Sequence, residues 1–167
     1  MNVRIAVTNL AAYTRGELVF EWLDLPATQE EIEEVYKKIL RPEDEEVFIT
    51  DYEAPFHIDE YQNIEKLNAV VEELDSLTTC DITTEAIIAE CNNLEEAVRV
   101  LRNGNYSIMA DVHDHKSLGM AIVSAGLLDD IPEHLSSYLD YEAIGIDYEI
   151  RGWHIHKDLN VAIAINW

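Results

Sequence analysis

RPEDEEVFITDYEAPFHIDEY, residues 41–61, carries eight carboxylates and one cation, Arg41. The same stretch carries Val47, Phe48, Ile49, Tyr52, Phe56, Ile58 and Tyr61. An acidic disordered tail lacks such side chains, so this segment folds. Glu46–Tyr52 reads as a strand, broken by Ala54-Pro55 because the residue before a proline is restricted. Upstream, Thr28-Gln29-Glu30-Glu31 is a capping box that opens a helix. Ile32, Val35, Tyr36 and Ile39 then give the i, i+3, i+4, i+7 stripe of one buried face, and Pro42 closes it. Further upstream, Asn2–Val7 alternates, with Val3, Ile5 and Val7 on one face, and reads as a strand. Gly16–Leu25 places Leu18, Phe20 and Trp22 at period two and reads as another. Asn9–Arg15 between them reads as a loop. Residues 1–61 are therefore expected to form a small antiparallel sheet with one helix.

Downstream the pattern changes. Ile64, Leu67, Val70, Val71 and Leu74 form a helical stripe, and Ala86, Ile87 and Ala89 mark a short second helix. Asn93, with Glu96 three positions on, caps a third helix lined by Leu94, Ala97, Val98 and Leu101. Asn103-Gly104-Asn105 stops it. Residues 62–103 thus read as a central helical bundle. Tyr106–Asp111 reads as a strand. Leu118, Ala121, Ile122 and Ala125 make a helix ending at Gly126, and Pro132 suits the first turn of another. Trp153–His156 and Val161–Ile165 read as a terminal hairpin around Lys157–Asn160. The expected class is α+β, in three small units: 1–61, 62–103 and 104–167.

Composition bounds the function. The 167 residues are 48% hydrophobic, a globular proportion. No apolar run approaches the ~20 residues of a membrane span. The start, MNVRIAVTNLAAY, has no long apolar core, so no signal peptide is expected and a cytoplasmic location is the default. Cys80 and Cys91 form no CxxC pair and are expected to be reduced, half-buried packing residues.

Charge is the outlier. Thirty-four acids against eleven bases leave a net −23. Two unit charges ~7 Å apart in water repel by roughly 0.6 kcal/mol before screening. Solubility needs a net charge of only about 2–8. The excess points to a basic partner, or to a generally acidic proteome. Direct nucleic-acid binding is disfavoured, because there is no basic stripe.

The candidate acidic surface gathers on the helices and loops. On the first helix Glu30, Glu31, Glu33 and Glu34 lie off the apolar stripe, with Glu33–Lys37 and Glu34–Lys38 at salt-bridge spacing. Glu43, Asp44, Glu45 and Glu46 have only Arg41 beside them, and Asp59 and Glu60 follow. On the next helix Glu65, Glu72, Glu73 and Asp75 face only Lys66. Glu95, Glu96, Asp129, Asp130 and Glu133 complete the set. Duplex DNA carries one charge per ~1.7 Å of axis, so −23 corresponds to about 23 phosphates. Carboxylates at i and i+3 or i+4 present one charge per ~5 Å, and two such rows begin to resemble two phosphate strands. Crowding is expected to raise carboxylate pKa values.

Other chemistry is weakly signalled. Asp111-Val112-His113-Asp114-His115 and His154-x-His156 could imitate a Zn²⁺ or Mn²⁺ site, but H-x-H also arises in ordinary hairpins. There is no GxSxG, P-loop, GxGxxG or HExxH. No catalytic residue and no cofactor is expected.

Three strings carry a resemblance: NLAAYTRGELVFEWLDLP (9–26), FITDYEAPFHIDEYQNIEKLN (48–68) and LLDDIPEHLSSYLDYEAIGIDYEIRG (127–152). They resemble the ArdA family of antirestriction proteins. Its motif near the start, N-L-x-x-Y-x-x-G-E-L-V-x-x-W, and its D-Y-E-x-P-F-x-x-x-E-Y stretch match here in order. Its C-terminal motif falls on Tyr138, Asp140, Tyr141, Gly145, Asp147 and Gly152. The resemblance implies a non-enzymatic, elongated three-unit DNA mimic, encoded on mobile elements. It implies that the protein inhibits type I restriction–modification enzymes by filling their DNA groove. It also implies a homodimer formed through the C-terminal unit. A protein built already bent avoids the ~1–6 kcal/mol that bending DNA costs. Leu127, Leu128, Tyr138, Tyr141 and Gly145 are then core, dimer or target contacts. The alternatives are an acidic module for another basic DNA-binding protein, or a metal-dependent hydrolase using His113, His115, His154 and His156.

Overall fold

A computed structural model describes residues 2–77, 80–128 and 131–166, with the side chain of Glu133 excepted. It is mixed α and β, with two small antiparallel sheets of three strands each. The chain divides into two compact units, Met1–Thr79 and Cys80–Trp167.

The first unit contains β1 (Val3–Asn9), α1 (Leu10–Thr14), β2 (Phe20–Leu25), α2 (Gln29–Ile39), β3 (Val47–Glu53) and α3 (Ile64–Leu77). Strand order is β2-β1-β3, with β1 antiparallel to both neighbours. The centre falls to β1 because its apolar side chains suit burial: Val3, Ile5, Ala6 and Val7 are all buried. Ile5 pairs with Leu23 and Val7 with Ile49, and these face the Ile32, Val35 and Ile39 stripe of α2. Ala6 pairs with Trp22 and Thr8 with Phe20 and Phe48, on the opposite face. The capping box forms as expected: Glu31 N–H donates to the Thr28 hydroxyl, and Thr28 N–H donates to the Glu31 carboxylate. α3 is tied to the turn before α2, since Ala27 N–H donates to Asn68 Oδ1 at 2.7 Å.

Two expectations for this unit are corrected. Asn9–Arg15 is not a loop: Asn9 caps α1 by accepting from Ala12 N–H at 2.9 Å. Strand β2 begins at Phe20, leaving Leu18 outside it. The side chains of β2 that enter the core are Leu23 and Leu25, whereas Leu18 and Phe20 are exposed.

The second unit contains α4 (Asp81–Glu90), α5 (Leu94–Asn103), β4 (Tyr106–Ala110), α6 (His115–Ser124), a 3-10 helix (Glu133–Tyr138), α7 (Tyr141–Ile150), β5 (Trp153–His156) and β6 (Val161–Ile165). The terminal hairpin forms over the expected residues, with β6 also paired to β4. Asn93 caps α5 through Glu96 N–H, and Gly104 ends it at φ 65°. The core of the α6, α7 and sheet layer is Val112, Leu118, Ile122, Tyr148, Trp153 and Ala162.

Pro132 precedes a 3-10 helix as its cap and does not sit inside an α-helix. Helix α7 was not foreseen. YEAIGIDYEI offers only Gly145 and Tyr148 as buried residues, so it has no apolar stripe to read. Its packing is of another kind. A Cβ on Gly145 would lie 1.8 Å from the His115 carbonyl oxygen, and one on Gly119 would lie 1.9 Å from that of Tyr141. The backbones of α6 and α7 therefore touch, and glycine at both points makes the approach possible.

Candidate functional site

In the first unit the acidic surface is built on α2, α3 and the loops flanking β3. Glu30, Glu31, Glu33 and Glu34 are exposed on α2, as are Glu43, Glu45, Glu46, Asp59 and Glu60 around β3. Glu65, Glu72 and Asp75 are exposed on α3, and Glu73 is half-buried. The two acidic helices are linked: the Tyr36 hydroxyl of α2 donates to Glu65 of α3 at 3.2 Å. Burial, and then the Glu65 charge, push the Tyr36 phenol up to about 12. Glu95 is exposed and Glu96 half-buried on α5, in the second unit. Asp129 and Asp130 lie outside the described residues, as does the side chain of Glu133.

Asp44 departs from the set. Its side chain is 1% exposed and lies against the Arg15 guanidinium at 3.4 Å. Asn9 Nδ2 donates to it at 2.8 Å, and also to the Ile39 carbonyl at 2.9 Å. This buried carboxylate ties α1 to the end of α2 and presents no free charge to a partner. Its partners lie 35 and 29 residues away in sequence, so nothing in the run PEDEE singled it out.

Two other acids do local work while remaining charged. Glu31 accepts from Thr28 N–H at 2.7 Å, and Glu96 from Asn92 N–H at 2.8 Å. These hydrogen bonds hold both carboxyls below the usual range. Asn9 and then Arg15 do the same for Asp44, and Ser117 N–H and then its hydroxyl for Asp114. The expected upward shift is therefore reversed at these four groups, because hydrogen bonds to the charged form outweigh the desolvation that opposes it.

Two cations are committed elsewhere than expected. Glu33 pairs with Lys37 at 3.7 Å, but Lys38 turns to Glu21 of β2 at 3.5 Å and not to Glu34. Arg41 pairs with Glu17, not with the Glu43–Glu46 run.

The C-terminal motif separates into several roles. Leu128 packs against the core of the second unit, while Leu127 is exposed. Asp140 caps α7 through Ala143 N–H, and Asp147 pairs with Arg151 at 2.7 Å. Tyr141 donates to the Ser136 carbonyl, Gly145 makes the helix contact and Gly152 adopts φ 99°. Tyr138 is 84% exposed, and Ile146 and Ile150 are exposed beside the motif.

The histidines go to different glutamates. His115 lies 2.9 Å from Glu149, whereas His154 and His156 both approach Glu90, at 3.3 and 2.9 Å. Among the described residues no group of three or more His, Cys, Asp or Glu is placed to hold a metal ion. Cys91 is half-buried as expected, but Cys80 is exposed. Among the described residues no helix is long and apolar enough to cross a membrane.

Comparison with curated proteins gives no match. The sequence profile described as "Antirestriction protein (ArdA)" matches residues 5–158, through both units. The chain therefore belongs to the ArdA family of antirestriction proteins.

Proposed function

We propose that this antirestriction protein is a DNA mimic that occupies the DNA-binding groove of type I restriction–modification enzymes. The observation that carries this is the pair of acidic helices in the first unit. α2 and α3 are adjacent through Tyr36 and Glu65, and each turns carboxylates to solvent. Spacing of i, i+3 and i+4 along α2 sets one charge per ~5 Å of axis. A groove lined by Lys and Arg meets these charges as it would meet phosphates. The protein needs no catalytic residue or cofactor for this, because blocking a groove is a binding event. Exposed Tyr138, Ile146 and Ile150 in the second unit support assembly as a homodimer through that unit.

The test is competition. A type I methyltransferase core is bound to its labelled target duplex, and the full chain is titrated in. The duplex should be displaced at near-stoichiometric protein, while the protein alone leaves free duplex unshifted. Glu34→Gln, Glu65→Gln and Glu72→Gln should each weaken displacement roughly twofold, and more in combination. No displacement at low salt and large excess would exclude the type I groove and redirect the acidic surface to another basic protein.

A further inference from the structure

The face of the β2-β1-β3 sheet turned away from α2 is only partly covered, with Tyr13 of α1 and Tyr61 packed on Phe48. It forms a groove of about 490 Å³ whose walls include Tyr13, Phe20, Trp22, Phe48 and Tyr61. The size is within the ~300–1,000 Å³ typical of ligand clefts. The rings are organised: Tyr13 meets Phe48 edge-on at 5.2 Å, and Phe48 stacks on Tyr61 at 5.9 Å. Yet Tyr13, Phe20 and Tyr61 are 52%, 41% and 73% exposed. This is the face on which the Phe20 and Trp22 alternation lands. The first two strings quoted above, far apart in sequence, converge on it.

The groove has a definite electrostatic preference. Asp51 and Glu60 line it, both are exposed, and among the described residues no Lys or Arg lines it. Aromatic faces are themselves negative, so rings and carboxylates favour the same occupant: a cation with a flat or apolar body. The same sheet face already shows this pairing in miniature. The Arg4 guanidinium lies 4.9 Å from the Trp22 ring centroid, and Arg4 pairs with Asp24 at 3.2 Å. Guanidinium suits such a setting better than ammonium, because it is planar, stacks on rings and is more weakly hydrated.

We propose that this groove is a docking site for an arginine side chain presented by a protein partner. The proposal goes beyond DNA mimicry. A phosphate-like surface needs charge and spacing alone, whereas this groove adds an aromatic shape that selects one cation over another.

The test uses the full chain and three blocked tripeptides, with arginine, lysine or neutral citrulline between two glycines. Ring and indole NMR signals are followed at ~0.15 M salt, where diffuse attraction to the acidic helices is screened. The arginine peptide should shift Trp22, Phe48 and Tyr61 saturably. The lysine and citrulline peptides should bind at least fivefold more weakly. Tyr61→Ala should weaken arginine binding at least fivefold, and Glu60→Gln, whose side chain is exposed, should weaken it while leaving the amide spectrum intact. Shifts confined to α2 and α3, or equal binding of citrulline, would overturn the proposal. So would undiminished binding by Tyr61→Ala and Glu60→Gln together. None of these outcomes depends on displacement of duplex from a restriction enzyme, so the two readings fail separately.

Discussion

Asn9 joins three parts of the first unit with one side chain. Its oxygen caps α1, and its amide nitrogen donates to the Ile39 carbonyl and to Asp44. Asn9→Ala would take this partner from the Ala12 N–H and the Ile39 carbonyl and leave Asp44 to Arg15 alone, at an expected cost of about 3 kcal/mol in a denaturant titration. The acids carry a pH signature as well. Asp44, Glu31, Glu96 and Asp114 are held below the ordinary carboxylate range by the groups that donate to them. A folded-state pKa below the unfolded one adds stability that is fully present above the unfolded value. That stability is lost as pH falls through the folded value. The melting temperature should therefore hold between about pH 7 and 5 and decline below about pH 4. Thr28→Ala, which removes a hydroxyl donor to Glu31, should shallow that decline. A melting temperature that rose steadily on acidification would show that relief of repulsion dominates instead. The acidic residues as a class were legible in the sequence. The capping role of Glu31 was legible too, but the structural role of Asp44 was not, because its partners are brought from distant positions.

At the scale of elements, the devices written locally were readable and those made by contact were not. The Thr28 box, the Asn93 cap, the Gly104 stop and the apolar stripes of α2, α3 and α5 all follow from spacing within one turn or two. Removing the Thr28 hydroxyl with Thr28→Ala should cost about 1 kcal/mol. Helix α7 has a local cap at Asp140 but no apolar stripe, and its fit depends on Gly145 lying against α6. Gly145→Ala should cost about 3 kcal/mol, because the added methyl meets backbone that cannot swing aside. Gly126→Ala is a useful comparison. Its φ of 68° penalises a side chain, but none of the described residues lies within 4 Å of the added methyl, so it should cost about 1 kcal/mol. Equal losses at the two sites would show that α6 and α7 can separate cheaply. The Phe20 and Trp22 alternation was legible as a strand, yet period two cannot say which face meets the core. Here α2 covers the face of Leu23 and Leu25.

At the scale of the whole molecule, charge dominates. A net −23 loads the folded state with repulsion that the unfolded chain spreads over a larger volume. Raising salt from about 0.02 M to 0.3 M shortens the Debye length from roughly 20 Å to below 8 Å. The melting temperature should rise over that range. A flat response would mean that the unpaired carboxylates stand too far apart for their mutual repulsion to weigh on folding. Acidity was visible from composition, the α+β class from periodicity and caps, and the family from three strings. Strand order was not, because pairing between β1 and β3 joins residues as distant in sequence as Arg4 and Glu53.

The two sheets also differ in when their centres become available. In the first, the middle strand β1 is the earliest to leave the ribosome, so β2 and β3 can dock onto it as they emerge. In the second, the middle strand β6 is the last of the three to be made, and β4 and β5 have no neighbour until it appears. The first unit can thus complete itself during translation, while the second must keep Met109, Trp153 and Ile155 unsheltered until Val161–Ile165 is released. A nascent chain stalled within that strand would carry a finished acidic sheet and an unfinished neighbour. Limited proteolysis of such a chain should therefore spare the first unit and cut the second.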